Sequence, residues 1–330
     1  RRRRAHVTVR RDGVRLQAQV CRSGLMCKQP TAAGTPLPVL AVSACVAFSL
    51  FGDGALYVVL PVVFATRGLA PWHVGLLLSA NRIIRLFTNP PAVILLGRVP
   101  IRPAMCGALL VGALTTLAYG LTESLILLLL ARAAWGACWS VLRLSGLITV
   151  TDCIDAGLAP ESRVGRLTGF YSGVSRLGSA AGMALGGVLC DAIGFSAEFV
   201  LFALLTACAA PYALFCAFGN LPAISGTAAA KAKASTGGRC ASVLALRAPQ
   251  CRLFFLAFSA SCAGNGLIVS TLGAILGAHA TASDDGGGSA IALGAGVVVS
   301  TATLNGGLLG FRWSVEGFLA PLWGAVIDRC

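Results

Sequence analysis

Eight long apolar runs constrain this chain more than any other feature of its sequence. A helix that crosses the roughly 30 Å hydrocarbon core of a bilayer needs about 20 apolar residues. The runs cover about residues 39–65, 71–97, 104–122, 124–151, 166–190, 197–219, 251–277 and 302–328, and the apolar lead-in to the last, from Ala290, is either extra helix or loop. Only 12% of the residues are charged, whereas a soluble domain carries about 25%. The sequence therefore predicts an all-α, polytopic membrane protein.

The net charge of +14 is distributed among the loops and the N-terminus. Nine of the 26 Lys and Arg residues lie within the first 38 residues. Others fall in alternate loops: Arg98, Arg102, Arg163, Arg166, Lys231, Lys233, Arg239, Arg247 and Arg252. The opposite loops combine one basic residue with five acids: Arg67, Glu123, Asp191, Glu198, Asp284 and Asp285. Because cytoplasmic loops are rich in Lys and Arg, we expect a cytoplasmic N-terminus, a multi-pass protein of the plasma membrane, and no nucleic-acid partner.

The positions of the apolar runs and of the charges divide the chain into four parts. Residues 1–38 form a basic cytoplasmic tail, expected to be disordered; a targeting segment, or translation upstream of Met26, are the alternatives. Residues 39–219 contain six predicted helices. The Ala/Gly/Ser/Lys-rich segment 220–250 has the composition of a cytoplasmic linker. Residues 251–330 contain two further helices.

The eighth apolar run is a degenerate repeat of the second. Aligning Arg82 with Arg312 places Pro91 on Pro321, and both segments end near a basic residue. This six-helix offset resembles the parallel repeat of the major facilitator superfamily.

Three motifs strengthen the resemblance. Motif C of the superfamily resembles the glycine series of run five: Gly169, Gly178, Gly182, Gly186 and Gly187, with Met183 where antiporters have proline. Motif B resembles Leu128, Arg132 and Gly136, with Trp135 where glutamine is frequent. The start of motif A resembles Gly324, Val326, Asp328 and Arg329. Its first-half copy is eroded, since Ile94 and Arg98 replace the glycine and the aspartate.

The resemblance implies secondary-active transport of a small solute by alternating access. It implies that Arg132 takes part in proton transfer or substrate contact, and that Asp328 belongs to a cytoplasmic charge network that steadies one conformation. Superfamily members have twelve helices in two halves, so this chain would supply the first six and the first two of the second half. We therefore expect a C-terminally truncated fragment that does not transport alone.

Eight ionisable residues lie inside the predicted spans: Asp53, Arg82, Arg85, Arg132, Arg143, Arg176, Arg312 and Glu316. If all eight side chains faced lipid, the free-energy cost would be roughly 20–28 kcal/mol, at roughly 2.5–3.5 kcal/mol for each. Most must therefore face a wet cavity or a partner. Arg143 lies nearer a helix end and can snorkel, and the other seven are candidates for substrate binding or coupling.

Their spacing predicts partners. Arg82 and Arg85 share a helix face, and either is expected to neutralise Asp53; Arg312 and Glu316, four residues apart, are expected to form a self-contained pair. Proton coupling and a structural ion pair are both open for Asp53. Six arginines against two acids predict a positive interior and an anionic solute. Protons as a coupling partner are implied by the motif B resemblance of Arg132 and stay open for Asp53.

The glycines at 178, 182 and 186 repeat every four residues and form one groove. Such a groove permits close helix packing in lipid, and the alternative is that run five slides against a helix of the other half. Together with Gly169, Gly187, Gly324, Asp328 and Arg329, these glycines are the conformational-switch candidates.

Two other classes of protein compete with a transporter. An intramembrane enzyme is disfavoured, because none of the three histidines (His6, His73 and His279) lies in the interior of a span and Asp53 has no second aspartate beside it in the membrane. The sequence contains no nucleotide-binding motif and no Cys/His metal cluster, so neither a cofactor nor a metal is expected. A non-transporting receptor or degenerate paralogue on the same fold remains the alternative.

Overall fold

The computed structural model describes residues 35–215, 256, 259, 268–282, 289–292 and 298–329. Nearly all of the predicted basic tail and the whole 220–250 linker lie outside the described residues. The helices are α1 Leu37–Val63, α2 Pro71–Leu96, α3 Ile101–Leu121, α4 Leu125–Asp155, α5 Val164–Ile193, α6 Phe195–Phe215, α7 Val269–His279 and α8 Thr301–Ile327. A short 3-10 turn, Glu161–Arg163, precedes α5.

Four of these helices, α1, α3, α4 and α6, are long and apolar enough to cross a membrane. The remaining long helices, α2, α5 and α8, carry five of the eight predicted intramembrane charges, whereas Asp53 lies in α1 and Arg132 and Arg143 lie in α4. Large apolar side chains cover the outside of the bundle, among them Leu114, Ile126 and Phe318, which are 64–70% exposed. Such side chains are stable in contact with lipid tails, as expected for a multi-pass membrane protein.

Consecutive helices alternate in direction. Gly178 of α5 lies against Ala47 of α1 and Gly186 against Ala55, so α1 and α5 are parallel. Gly165 of α5 lies against Gly324 of α8, whereas Gly187 lies against Ala302, so α5 and α8 are antiparallel. We call the end of the bundle that contains the start of α1 proximal, and the opposite end distal.

Helix α5 occupies the centre, between α1 and α8, while α3 packs on α6 and α2 on α4. The Gly178–Gly182–Gly186 groove is closely packed against another helix, as the favoured interpretation has it, and the alternative of sliding against the other half does not apply to this conformation. The groove receives the backbone of α1, which belongs to the same half. Helix α8 instead packs on a different glycine set of α5: Gly165, Gly169, Gly173 and Gly187. Both faces of α5 carry glycine at these contacts, because a β-carbon there would overlap the neighbouring helix.

The segment before α8 forms strands and not the helix or loop expected from its composition. Strands β1 Thr281–Ala282, β2 Ser289–Ala292 and β3 Val298–Ser300 make a small antiparallel sheet in the order β1-β2-β3. In β2, Ile291 pairs with Val299 of β3. The sheet leads directly into the distal end of α8.

Candidate functional site

A cavity of about 620 Å³ opens between α1, α2, α4, α5 and α8. It extends from the middle of the bundle towards the proximal end. The polar and aromatic residues of its wall are Asp53, Tyr57, Asn81, Arg82, Arg85, Asn89, Trp139, Arg143, Tyr171, Ser172, Ser175, Arg176, Ser179 and Trp313. The volume is within the usual range for small-molecule sites.

Positive charge dominates this wall. Four arginines line the cavity, Arg82, Arg85, Arg143 and Arg176, whereas Asp53 is its single acidic lining residue. The guanidinium of Arg82 lies 5.9 Å from the ring centre of Tyr57, and Nε of Arg85 donates to the carbonyl of Asn81 at 3.2 Å. These contacts orient both side chains of α2 on the cavity side of the helix.

The carboxylate of Asp53 is neutralised by Arg132 of α4. Nη1 of Arg132 donates to Oδ1 of Asp53 at 2.6 Å, and the arginine side chain is fully buried. Arg132 also donates to the carbonyl of Leu77 and to the hydroxyl of Tyr57, both at 3.2 Å. The sequence favoured Arg82 or Arg85 as the partner of Asp53, whereas the ion pair described here is with Arg132, which α4 brings directly behind Asp53.

A second ionic cluster joins α5 to α8. Arg312 and Glu316 form the predicted pair at 3.3 Å within α8, but the pair is not self-contained. Arg176 of α5 also forms an ion pair with Glu316, and its guanidinium lies 5.6 Å from the ring centre of Trp313. One carboxylate thus bridges two arginines across the contact between the two predicted halves.

Two residues of the site carry no charge and were not predicted from the sequence. Asn81 is buried at 3% exposure and donates to Oδ1 of Asp53 at 3.4 Å, and Tyr57 accepts from Arg132. The signals were present in the sequence: Asn81 is a polar residue inside an apolar run, and Tyr57 follows Asp53 by four residues, which places both on one helix face.

The switch candidates lie along the α5–α8 contact. At the proximal end, the carboxylate of Asp328 accepts from the backbone N–H groups of Gly165 and Arg166 at 2.6 and 2.7 Å. This anion satisfies otherwise unpaired donors at the N-terminus of α5. Gly324 packs against Gly165, whereas Arg329 is exposed just beyond the helix.

An acidic residue also joins α5 to the start of α8 at the distal end of the α5–α8 contact. The carboxylate of Asp191, at the end of α5, accepts from the hydroxyls of Ser300 and Thr303 at 2.8 and 2.5 Å. Glu198, counted among the distal loop charges by sequence, is in fact fully buried in the first turn of α6. Among the described residues, no group of three or more His, Cys, Asp or Glu side chains could hold a metal ion.

Comparisons with known proteins agree with this architecture. The sequence matches the protein family described as Major Facilitator Superfamily over residues 42–329. No curated protein matches the chain. Among solved structures, the crystal structure of the nucleoside transporter NupG is similar, with a TM-score of 0.51 and 14% identity over 88% of this chain and 90% of that chain. At that identity the likeness concerns the fold.

Proposed function

Because the chain belongs to the major facilitator superfamily, whose members transport solutes across membranes, we propose that it carries a small anionic solute by alternating access. The proposed binding site is the 620 Å³ cavity. The observation that carries the proposal is the set of four arginines in its wall.

The electrostatics of the bundle interior support an anion. Asp53 of the cavity wall is bound by Arg132, and Glu316 next to the wall is bound by Arg176 and Arg312. The positive charge of the wall therefore exceeds the negative charge within it. A guanidinium binds carboxylate or phosphate oxygens through parallel hydrogen bonds, so an anionic group would stabilise this wall.

The aromatic residues of the wall favour a flat or apolar body on the solute. Trp139 and Trp313 line the cavity together with Tyr57 and Tyr171. Large apolar rings with a few placed polar groups are typical of small-molecule sites. A small carboxylate with an aromatic ring combines both features.

The contacts at the ends of α5 suggest how access alternates. Asp328 holds the proximal end of α5 against α8, and Asp191 holds the distal end. We call the contacts of Asp328 and Asp191 the proximal and distal clamps. If one clamp breaks while the other persists, the cavity opens to one side only. Proton coupling, with Asp53 and Arg132 as candidates, is part of the same proposal, as are a plasma-membrane location and a cytoplasmic proximal end.

Charge selectivity tests the proposal directly. Benzoate, benzamide and benzamidine share one ring and differ in charge, so their affinities for the purified protein isolate the electrostatic contribution. We expect benzoate to bind at least tenfold more tightly than the other two, because one charge-assisted hydrogen bond contributes about 1.5–3 kcal/mol. Titration calorimetry provides the affinities, and proteoliposome uptake of labelled benzoate tests transport.

The matched variants are Arg85→Gln and Arg98→Gln. Arg85 lines the cavity, whereas Arg98 is exposed in the turn after α2. We expect the first substitution to weaken benzoate binding by about tenfold or more and the second to leave it unchanged. Equal binding of benzamidine and benzoate, or equal behaviour of the two variants, would contradict an anionic substrate.

A further inference from the structure

Three arginines form one group of positive charge in the cavity wall. Arg82 and Arg85 belong to α2 and Arg143 to α4, and both Arg82 and Arg143 are close enough to repel Arg85. Asp53 also acts on Arg85, but its carboxylate is already bound by Arg132. Among the residues that the structure describes, neither Arg85 nor Arg143 has an ion-pair partner. We call Arg82, Arg85 and Arg143 the α2–α4 pole.

A second group of charge lies where α5 meets α8. Arg176 of α5 lines the cavity, and Glu316 binds it together with Arg312. One carboxylate thus meets two guanidiniums, so these three side chains retain one positive charge in excess. The side chain of Arg176 is 39% exposed, which leaves it accessible to a ligand in the cavity. We call Arg176, Arg312 and Glu316 the α5–α8 pole.

The two poles belong to different walls of the cavity. Helix α2 packs on α4, whereas α5 packs on α1 and α8. A tryptophan accompanies each pole. Trp139 precedes Arg143 by four residues, which places both on one face of α4, and the ring centre of Trp313 lies 5.6 Å from the guanidinium of Arg176. Both rings line the cavity, so a flat apolar body would have an aromatic surface beside each positive group.

A solute with one carboxylate can neutralise only one of these poles. A carboxylate accepts hydrogen bonds from one guanidinium, or from two that are adjacent. Bound at the α2–α4 pole, it would leave the excess charge of Arg176 and Arg312 without a solute partner, and bound at the α5–α8 pole it would leave Arg85 and Arg143 unpaired. Two acidic groups held apart on one molecule would neutralise both poles at once.

We propose that the solute is a dianion whose two acidic groups are separated by a flat, rigid body, with one group bound at the α2–α4 pole and the other at the α5–α8 pole. The inference rests on the proposed anion transport and narrows its substrate class. Because each pole belongs to a different pair of helices, such a solute joins the α2–α4 wall to the α5–α8 wall.

Three benzene carboxylates separate the number of charges from their spacing. Terephthalate has carboxylates at opposite ends of the ring, phthalate has both on neighbouring carbons, and monomethyl terephthalate retains only one. By titration calorimetry of the purified full chain, we expect terephthalate to bind at least about tenfold more tightly than either of the others, because only it makes a charge-assisted contact at each pole. Terephthalate binding no more tightly than its monomethyl ester, or no more tightly than phthalate, would overturn the proposal.

Substitutions at the two poles test which arginines are used. Arg85→Gln and Arg176→Gln should each remove most of the preference for terephthalate over its monomethyl ester, since the second carboxylate loses its partner. Arg98→Gln, at an exposed position in the turn after α2, is the matched control and should preserve the preference. A preference that survives either cavity substitution would overturn the assignment of that pole.

Glu316→Gln should act in the opposite direction. It removes the carboxylate that binds Arg176 and Arg312, so the second carboxylate of the solute meets more positive charge at the α5–α8 pole. We expect the preference for terephthalate over its monomethyl ester to increase by about threefold or more. Because general damage to the fold would weaken binding, an increase cannot result from it. An unchanged or smaller preference would overturn a role for this pole.

Failure of this inference is distinguishable from failure of the anion proposal. Benzoate binding more tightly than benzamide, together with equal binding of terephthalate and its monomethyl ester, would retain an anionic solute and overturn the dianion. Equal binding of benzoate, benzamide and benzamidine, together with no preference for terephthalate, would overturn both.

Discussion

The ion pair of Asp53 and Arg132 is the most deeply buried of those between described residues. The arginine side chain is 0% exposed and that of Asp53 is 14% exposed. The burial is tolerated because every side of the guanidinium has an acceptor: Asp53, the carbonyl of Leu77 and the hydroxyl of Tyr57. Tyr57 and Tyr119 also place their rings within 5.3 and 5.7 Å of it. The site therefore holds its one lining carboxylate in a neutral pair.

Removing one partner of this pair should be far more harmful than removing both. Asp53→Asn leaves the buried guanidinium without its carboxylate, and we expect a loss of about 3–5 kcal/mol in the free energy of unfolding. The double variant Asp53→Asn with Arg132→Met should recover a large part of that loss. Denaturant unfolding in detergent measures the free energy of unfolding of each variant.

The pair of Arg67 and Glu123, 3.9 Å apart with the glutamate side chain 73% exposed, provides the control. Glu123→Gln should have little effect on stability, because water screens this contact. If Asp53→Asn were no more harmful than Glu123→Gln, the buried network would not contribute to stability as argued.

At the scale of the helix, α5 is the element on which the fold and the proposed transport cycle both depend. One glycine face receives α1 and the other receives α8. Close backbone approach maximises dispersion contacts where lipid supplies no hydrophobic driving force. The α5–α8 contact adds polar clamps at its two ends and the Arg176–Glu316 pair between them. In the proposed transport cycle, the α8 face, which carries these polar contacts, opens, and the α1 face stays closed.

Gly182→Ala should destabilise the α1–α5 contact, because a β-carbon at position 182 would overlap the backbone of Phe51. We expect a loss of about 1–3 kcal/mol in the free energy of unfolding, typical of overpacking. Gly107→Ala in α3 is the matched control, since nothing lies within 4 Å of its β-carbon position. That variant should be neutral or more stable by about 0.5–1 kcal/mol. Equal effects of the two substitutions in unfolding measurements would refute close packing at Gly182.

At the scale of the whole molecule, alternating helix directions place the loops in two sets. The proximal set contains Arg98, Arg102, Arg163 and Arg166, and the distal set contains Arg67 and Glu123. Positive loops remain in the cytoplasm during insertion. The proposed orientation therefore has the proximal end, and with it the wider part of the cavity, facing the cytoplasm.

Epitope insertion tests this orientation. Gly68 and Gly157 are turn residues at the distal and proximal ends, with φ of 66° and 72° and nothing packed on them. An epitope after Gly68 should bind antibody on intact cells, whereas one after Gly157 should bind only after permeabilisation. The reverse pattern would establish the opposite orientation. Detection of both epitopes on intact cells would show that the cells are permeable to the antibody.

Local properties of the chain were predictable from the sequence. The run predicted at about 39–65 is the helix Leu37–Val63, and that at 302–328 is Thr301–Ile327. Hydropathy over 20 residues is set by composition and by the thickness of the bilayer, so the helices can be found without knowing their neighbours. The Arg312–Glu316 contact was predictable for a similar reason, because residues four apart in a helix are adjacent.

Partners that are distant along the chain were decided by the tertiary structure. Asp53 binds Arg132, 79 residues away, because the packing of α4 places that guanidinium directly behind the carboxylate. The Gly178–Gly182–Gly186 groove receives α1 and not α8, and Glu198 is enclosed where helix ends meet. Hydropathy specifies that a segment enters the membrane, whereas the choice of neighbouring helix depends on how complete side-chain surfaces fit together. The sequence by itself therefore determined a charged, multi-helix membrane protein of this superfamily, and packing decided which charges line its cavity.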